Sequence, residues 1–224
     1  MKKFFLILLA SSFFSGVLFA QADNLPTKEW NAGAYNPYVL YISGDGGFNR
    51  FSTDLCTDMN KAGYGVTAIN AKSYFWDKKT PEETATAIQS YLARVFKNRL
   101  NQQLVLVGYS FGADVMSFIV NRLPASMQIK LVSVILLAPS TSTDFEIHWS
   151  DIFGGHIKRS MDVVEEINKM NVARTVIILG EDDMEYFPVN KVRLKNFVSE
   201  ILPGSHHFSG DTDKVAGTMM KYFK

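Results

Sequence analysis

Leu104-Val105-Leu106-Val107-Gly108-Tyr109-Ser110-Phe111-Gly112 decides the fold. Its first four residues are apolar without alternation, as in a strand buried on both faces of a parallel sheet. A G-x-S-x-G pentapeptide follows, and from Phe111 to about Arg122 the apolar spacing is helical. Composition alone would produce that pentapeptide about 0.08 times in such a chain, so its setting must carry the argument. Strand, glycine-flanked serine and helix in direct succession form a nucleophile elbow, with the serine hydroxyl exposed at the strand end. Ser110 is the candidate nucleophile.

Outward from this segment, compact apolar runs alternate with helical stretches. Val39–Ile42, Val66–Ile69, Leu131–Leu137, Thr175–Leu179 and Phe197–Leu202 read as further strands. Phe51, Leu55, Met59 and Ala62 fall on one helix face, with Gly63 as the stop. Thr80-Pro81-Glu82-Glu83 opens a helix predicted to reach about Leu100: Thr80 caps, Pro81 fits the first position and Glu83 completes a capping box. An amphipathic helix over 211–224 closes the chain. The expected architecture is α/β, an α/β-hydrolase fold with a mostly parallel central sheet and helices on both faces. Residues 23–224 read as one domain, with 141–160 as an irregular cap or lid over the carboxyl ends of the strands.

A serine hydroxyl needs a base to take its proton. In this fold the order is serine, acid, histidine, with the histidine after the last strand. Of four histidines, His148 and His156 fall in the irregular segment, whereas His206 and His207 follow the last strand. His207, just before Phe208, is the first choice and His206 the alternative. Gly180-Glu181-Asp182-Asp183 follows the fifth strand, where the acid belongs; Asp183 is preferred, then Asp182, then Glu181. The oxyanion calls for amide donors. That of Phe111 is one, and that of Asp45 or Gly46, in Ser43-Gly44-Asp45-Gly46-Gly47, is the second. A phosphate-cradling loop is excluded there, because Phe48-Asn49 stands where Lys-Ser/Thr would be needed.

Bulk properties narrow the partners. The 224 residues carry a net charge of +1, which gives no reason to expect nucleic acid. Lys2 and Lys3, the apolar run Phe4–Phe19 and Ala20-Gln21-Ala22 make residues 1–22 a cleavable signal peptide, whose removal takes the charge to −1. The lone Cys56 reads as a buried, inert thiol, and neither a metal site nor a cofactor is expected.

The sequence resembles the bacterial virulence protein VirJ/AcvB family over nearly all of residues 23–224. The resemblance rests on Ile42-Ser43-Gly44-Asp45-Gly46-Gly47-Phe48, Tyr74-Phe75-Trp76 with Thr80-Pro81-Glu82, Gly108 to Val115, and Asn121-Arg122-Leu123-Pro124. Phe145-Glu146 with His148, and Gly204 to Gly210, complete it. It implies a periplasmic α/β-hydrolase. Better-understood relatives remove the amino acid from lysyl-phosphatidylglycerol, and others are linked to DNA transfer and virulence. The longer AcvB-type proteins carry an amino-terminal domain that this chain is not expected to contain.

The implied chemistry is ester hydrolysis at an aminoacyl carbonyl, with membrane phospholipid as partner. Asp45, Asp144 and Glu146 are candidates for meeting the ammonium groups, or are solvated loop charges. Tyr74 and Trp76, with Phe75, line the pocket, meet lipid or pack in the core. A monomer is expected, with an envelope or secretion-system protein as the alternative partner. Two rival readings stand beside this one: a general periplasmic esterase, lipase or thioesterase, and a non-catalytic secretion factor on a hydrolase scaffold.

Overall fold

A computed structural model describes residues 25–148 and 158–224. The signal-peptide segment 1–22, and His156 with residues 149–157 of the expected lid, lie outside the described residues.

The first of nine described strands, β1 (Thr27–Trp30), is followed by β2 (Tyr38–Ile42), β3 (Val66–Ile69), β4 (Leu104–Tyr109) and β5 (Leu131–Leu137). After the short β6 (Ser142–Thr143) and β7 (Met161–Asp162) come β8 (Thr175–Gly180) and β9 (Phe197–Leu202). Seven strands form one sheet in the order β1-β3-β2-β4-β5-β8-β9, parallel except for the antiparallel edge strand β1. The chain leaves β2 towards β3 on one side and returns to β4 on the other. Crevices at such a reversal, outside the carboxyl ends of the strands, are where α/β sheets bind ligands.

The helices are α1 (Arg50–Lys61), α2 (Ala71–Tyr74), α3 (Pro81–Phe96), α4 (Phe111–Val120), α5 (Ala125–Gln128), α6 (Val163–Ile167) and α7 (Thr212–Met220). Successive strand residues feed opposite faces. Leu40, Ile42, Leu106, Leu136 and Ile177 pack with Leu92, Met116 and Ile167 of α3, α4 and α6. Val39, Tyr41, Val107, Ile135 and Ile178 pack with Leu55, Met59, Val215 and Met219 of α1 and α7. Burial of such side chains contributes about 2 kcal/mol each before entropy is counted. Both faces are covered, as the unbroken apolar runs require.

Local signals set the helix starts. Thr80 Oγ1 accepts the Glu83 amide at 3.1 Å while Glu83 Oε2 accepts the Thr80 amide at 2.8 Å, a reciprocal capping box. α3 ends at Phe96 rather than near Leu100, because the last turn tightens as the Lys97 amide donates to the Arg94 carbonyl. The buried Glu166 accepts from Asn121 Nδ2 at 3.1 Å and Arg122 at 3.0 Å, and Arg122 also reaches Glu82 at 2.7 Å. Those family-like motif residues tie α3, α4 and α6 together.

The stretch after β5 is more ordered than expected. Ser142 and Thr143 pair antiparallel with Asp162 and Met161. Phe145 is buried, with its ring centroid 5.7 Å from Phe75 and 5.5 Å from Phe118, and its carbonyl accepts the Lys79 amide at 3.1 Å. Residues 142–148 are thereby fastened to the α2–α3 connection.

Candidate active site

Ser110 sits between β4 and α4 at φ 54°, ψ −123°. A non-glycine residue at positive φ carries roughly 1–3 kcal/mol of strain and needs neighbours that hold it. Its amide donates to Leu137 O at 2.8 Å, and its carbonyl accepts from Ala113 at 2.8 Å and Asp114 at 3.0 Å. The flanking glycines are required by close approach. A Cβ on Gly112 would lie 2.2 Å from Ile42 O, and one on Gly108 would lie 2.3 Å from Gly112 O. The turn thus wedges α4 against the end of β2.

The imidazole beside this serine belongs to His206, whose Nε2 lies 2.7 Å from Ser110 Oγ. Of the two candidate bases, His206 is the one that faces Ser110, and His207, the first choice, does not contact it. His207 Nδ1 instead lies 2.5 Å from the Tyr109 hydroxyl, with its ring edge-on to that of His206 at 5.7 Å between centroids. Gly204, Phe208, Ser209 and Gly210 all have positive φ, so the loop that carries the two histidines follows a tight path.

Asp183 stands behind His206, with Oδ2 3.4 Å from Nδ1. The pair is close enough for ion pairing, but its alignment falls short of a hydrogen bond, and this buried oxygen accepts none among the described residues. Glu181–Asp183 form a 3-10 turn directly after β8. Asp182 is exposed and contributes its amide, not its carboxylate, donating to Gly204 O at 3.3 Å. Glu181 is exposed. Gly180 is compressed below the histidine loop: a Cβ there would meet Ser205 O at 2.5 Å. That contact and the Asp182 bond knit the turn after β8 to the loop after β9, which brings Asp183 and His206 together.

Of the oxyanion candidates, Phe111 opens α4, where an amide has no acceptor within its own helix. The Gly46 amide is occupied, donating to Asp45 Oδ1 at 2.8 Å. The Asp45 amide has no acceptor among the described residues, leaving it as the available donor of the two candidates. This loop does lie over the serine, since a Cβ on Gly44 would sit 3.2 Å from Ser110 Cβ.

The substrate candidates divide. Phe75 is buried, with its ring centroid 5.1 Å from Phe111 and 4.8 Å from Tyr74. Trp76 is 47% exposed. Asp144 Oδ2 is engaged by His148 Nε2 at 2.7 Å and lies 3.9 Å from Arg159, and Glu146 lies 3.8 Å from Lys78. Both candidates thus have partners within the protein, Glu146 only at the limit of an ion pair with the exposed Lys78.

Two buried groups at the site escape sequence reading. Tyr109 is buried, and its phenol is pushed well up by burial and by the charges of Asp45 and Asp183. Asp114, one turn into α4, accepts the Ser140 amide at 2.6 Å and the Ser140 hydroxyl at 2.7 Å, which pins the chain after β5. Burial pushes its carboxyl up to about 7; the Ser140 bonds and the His206 charge oppose the rise, and Asp45 adds to it. Asp114 falls within the Gly108–Val115 stretch that carries the family resemblance, but nothing in the sequence marks its burial or Ser140 as its partner.

A cavity of about 330 Å³ lies at the opposite, amino-terminal end of β8 and β9, lined by Met170, Thr175, Arg193 and Lys195. It is remote from Ser110 and takes no part in this arrangement.

A strained serine where the sheet order reverses, with imidazole and carboxylate from the ends of later parallel strands, defines the α/β-hydrolase class. Solved structures agree on the fold. A lipase-esterase related protein from Clostridium acetobutylicum superposes with TM-score 0.64 at 14% identity, covering 88% of this chain and 99% of its own. A dienelactone hydrolase from Anabaena variabilis gives 0.63 at 13%, covering 88% and 89%. Est1E from Butyrivibrio proteoclasticus gives 0.61 at 15%, covering 89% and 96%. Comparison with curated protein sequences gives no match. The chain belongs to the bacterial virulence protein (VirJ) family, whose model matches residues 37–224.

Proposed function

We propose that this protein is a serine hydrolase of carboxylic esters that works in the periplasm through Ser110, His206 and Asp183. The observation that carries the reading is the 2.7 Å contact of His206 Nε2 with a serine held on a strained elbow. Ser110 Oγ attacks the ester carbonyl while its proton passes to His206 Nε2. The amides of Phe111 and Asp45 hold the oxyanion, a donor of this kind being worth roughly 3 kcal/mol. Collapse expels the alcohol, which takes the proton from His206. Water, activated by the same imidazole, then releases the acid and restores Ser110. Asp183 steadies the imidazolium in both halves.

The substrate we propose is the aminoacyl ester of an aminoacyl-phosphatidylglycerol, giving free amino acid and phosphatidylglycerol. Family membership supports this choice, as does the acidity around the serine. Asp45 and Asp114 are near enough to act on each other's ionisation, and Asp114 is near enough to act on His206. Of the candidates Asp45, Asp144 and Glu146, Asp45 belongs to the glycine loop over the serine and is the carboxylate we favour for an ammonium group. The aromatic cluster of Tyr74, Phe75 and Phe111 beside the nucleophile favours a second reading, a general acyl esterase.

The test is incubation of purified protein with vesicles containing lysyl-phosphatidylglycerol, followed by mass spectrometry of lipid and released lysine. Release by the wild type and none by Ser110→Ala is the expected result. Turnover of p-nitrophenyl esters without lysine release would transfer the assignment to the general esterase, and labelling by a fluorophosphonate anywhere but Ser110 would refute both.

A further inference from the structure

The geometry points to Tyr109 and His207 as a clamp that positions the catalytic imidazole, with His207 a structural anchor rather than a spare base. This inference rests on the proposed roles of Ser110 and His206. The Tyr109 hydroxyl lies 2.5 Å from His207 Nδ1 and 3.2 Å from the main-chain carbonyl of His206. A carbonyl only accepts, and a phenol has one proton. Both contacts are satisfied when the Tyr109 hydroxyl donates to His206 O and its oxygen accepts a hydrogen bond from His207 Nδ1–H. The chain of bonds runs from the His207 ring through the phenol to the backbone of His206, and it assigns His207 the Nδ1–H form.

The surroundings fit that purpose. Tyr109 adjoins Ser110 in sequence, so one rigid strand end fixes both the nucleophile and the carrier of its base. Phe51 packs at 4.7 Å from the Tyr109 ring and 6.3 Å from the His207 ring, keeping the phenol from swinging away. The loop it holds is itself strained, with Phe208 at φ 50° and Ser209 at φ 54°. Backbone in such regions keeps its shape only where neighbours over-determine it. Without the clamp, His206 would lose its alignment to Ser110, and misplacement by about 1 Å can cost about a hundredfold in rate.

Two measurements test the clamp. In the first, kcat and KM for p-nitrophenyl acetate are compared for wild type, Tyr109→Phe, His207→Ala and His207→Asn, with thermal melts to verify folding. Asparagine places an N–H at the position of His Nδ1 and can donate to the phenol. The expected result is a fall in kcat of about tenfold or more for Tyr109→Phe and His207→Ala at nearly constant KM, with most of the loss recovered in His207→Asn.

In the second, ¹⁵N-histidine spectra of the purified protein, with His207 assigned by its absence in His207→Asn, show Nδ1 protonated at neutral pH. Wild-type kcat in His207→Ala, failure of asparagine to do better than alanine, or a His207 protonated only at Nε2 would each overturn the clamp. Loss in His207→Ala as deep as in Ser110→Ala, with His206→Ala still active, would show that the two histidines have exchanged roles. Absence of any ester turnover by the wild type would instead refute the proposed function, and the spectra would still decide the clamp.

Discussion

Replacing Asp114 by asparagine should stabilise the protein in a strictly pH-dependent way. The carboxyl is buried and its ionisation lies at about 7 rather than its ordinary 3.8. A group whose folded value is raised holds its proton more tightly when folded than when unfolded. Its contribution to stability is therefore full in acid and is lost as pH climbs from about 4 through about 7. The interval corresponds to about 4 kcal/mol, a large part of the roughly 5–15 kcal/mol that separates folded from unfolded domains.

Asparagine keeps the local bonds without the charge. Its Oδ1 accepts the Ser140 amide and its Nδ2 donates to Ser140 Oγ, whose own hydrogen then turns to Ser142 O, 3.0 Å away. Urea denaturation followed by tryptophan fluorescence, at intervals between pH 4 and 8.5, measures the difference. The variant should match the wild type near pH 4 and exceed it by up to about 4 kcal/mol at pH 8, with an unchanged slope against urea. A difference constant within about 1 kcal/mol over that range would refute the argument from burial.

Three further outcomes follow from the geometry. In the proposed mechanism, Asp183→Asn should lower kcat by up to roughly 10⁴, because the amide no longer carries the charge that stabilises the imidazolium, and steady-state ester hydrolysis measures it. Gly112→Ala should cost at least about 4 kcal/mol or prevent folding, because the new methyl would fall 2.2 Å from Ile42 O; thermal melts by circular dichroism report it. The Cys56 thiol is fully buried and pushed far above its ordinary range by desolvation, so a disulfide reagent should react with it only after urea is added.

The parts of the fold legible in the sequence are those where burial is symmetrical. Leu104–Val107 and Val134–Leu137 lie in strands with covered faces, and an unbroken apolar run reports that directly. β1 escaped detection because Thr27-Lys28-Glu29-Trp30 is an edge strand whose central residues are exposed and charged. β6 and β7 are too short for any period to register.

At the site, the serine was legible because the close backbone approach around it demands glycines on either side. The histidine was not, because which of two neighbours faces Ser110 depends on the handedness of the loop and on Tyr109, 98 residues from His207 in the chain. Asp114 needed Ser140, and that pairing too exists only after folding.

Ser110 and His206 are 96 residues apart in sequence, and the serine amide hangs on Leu137 while the histidine loop leans on Gly180. In the proposed mechanism the hydroxyl therefore becomes reactive only after β4, β5, β8 and β9 lie side by side. Contacts of such long sequence separation form late, because each closes a large loop of chain. Reaction of Ser110 with an electrophile is consequently a clock for folding: a truncated, unfolded or partly assembled chain stays silent, and the first labelled molecules mark the moment when the sheet is complete.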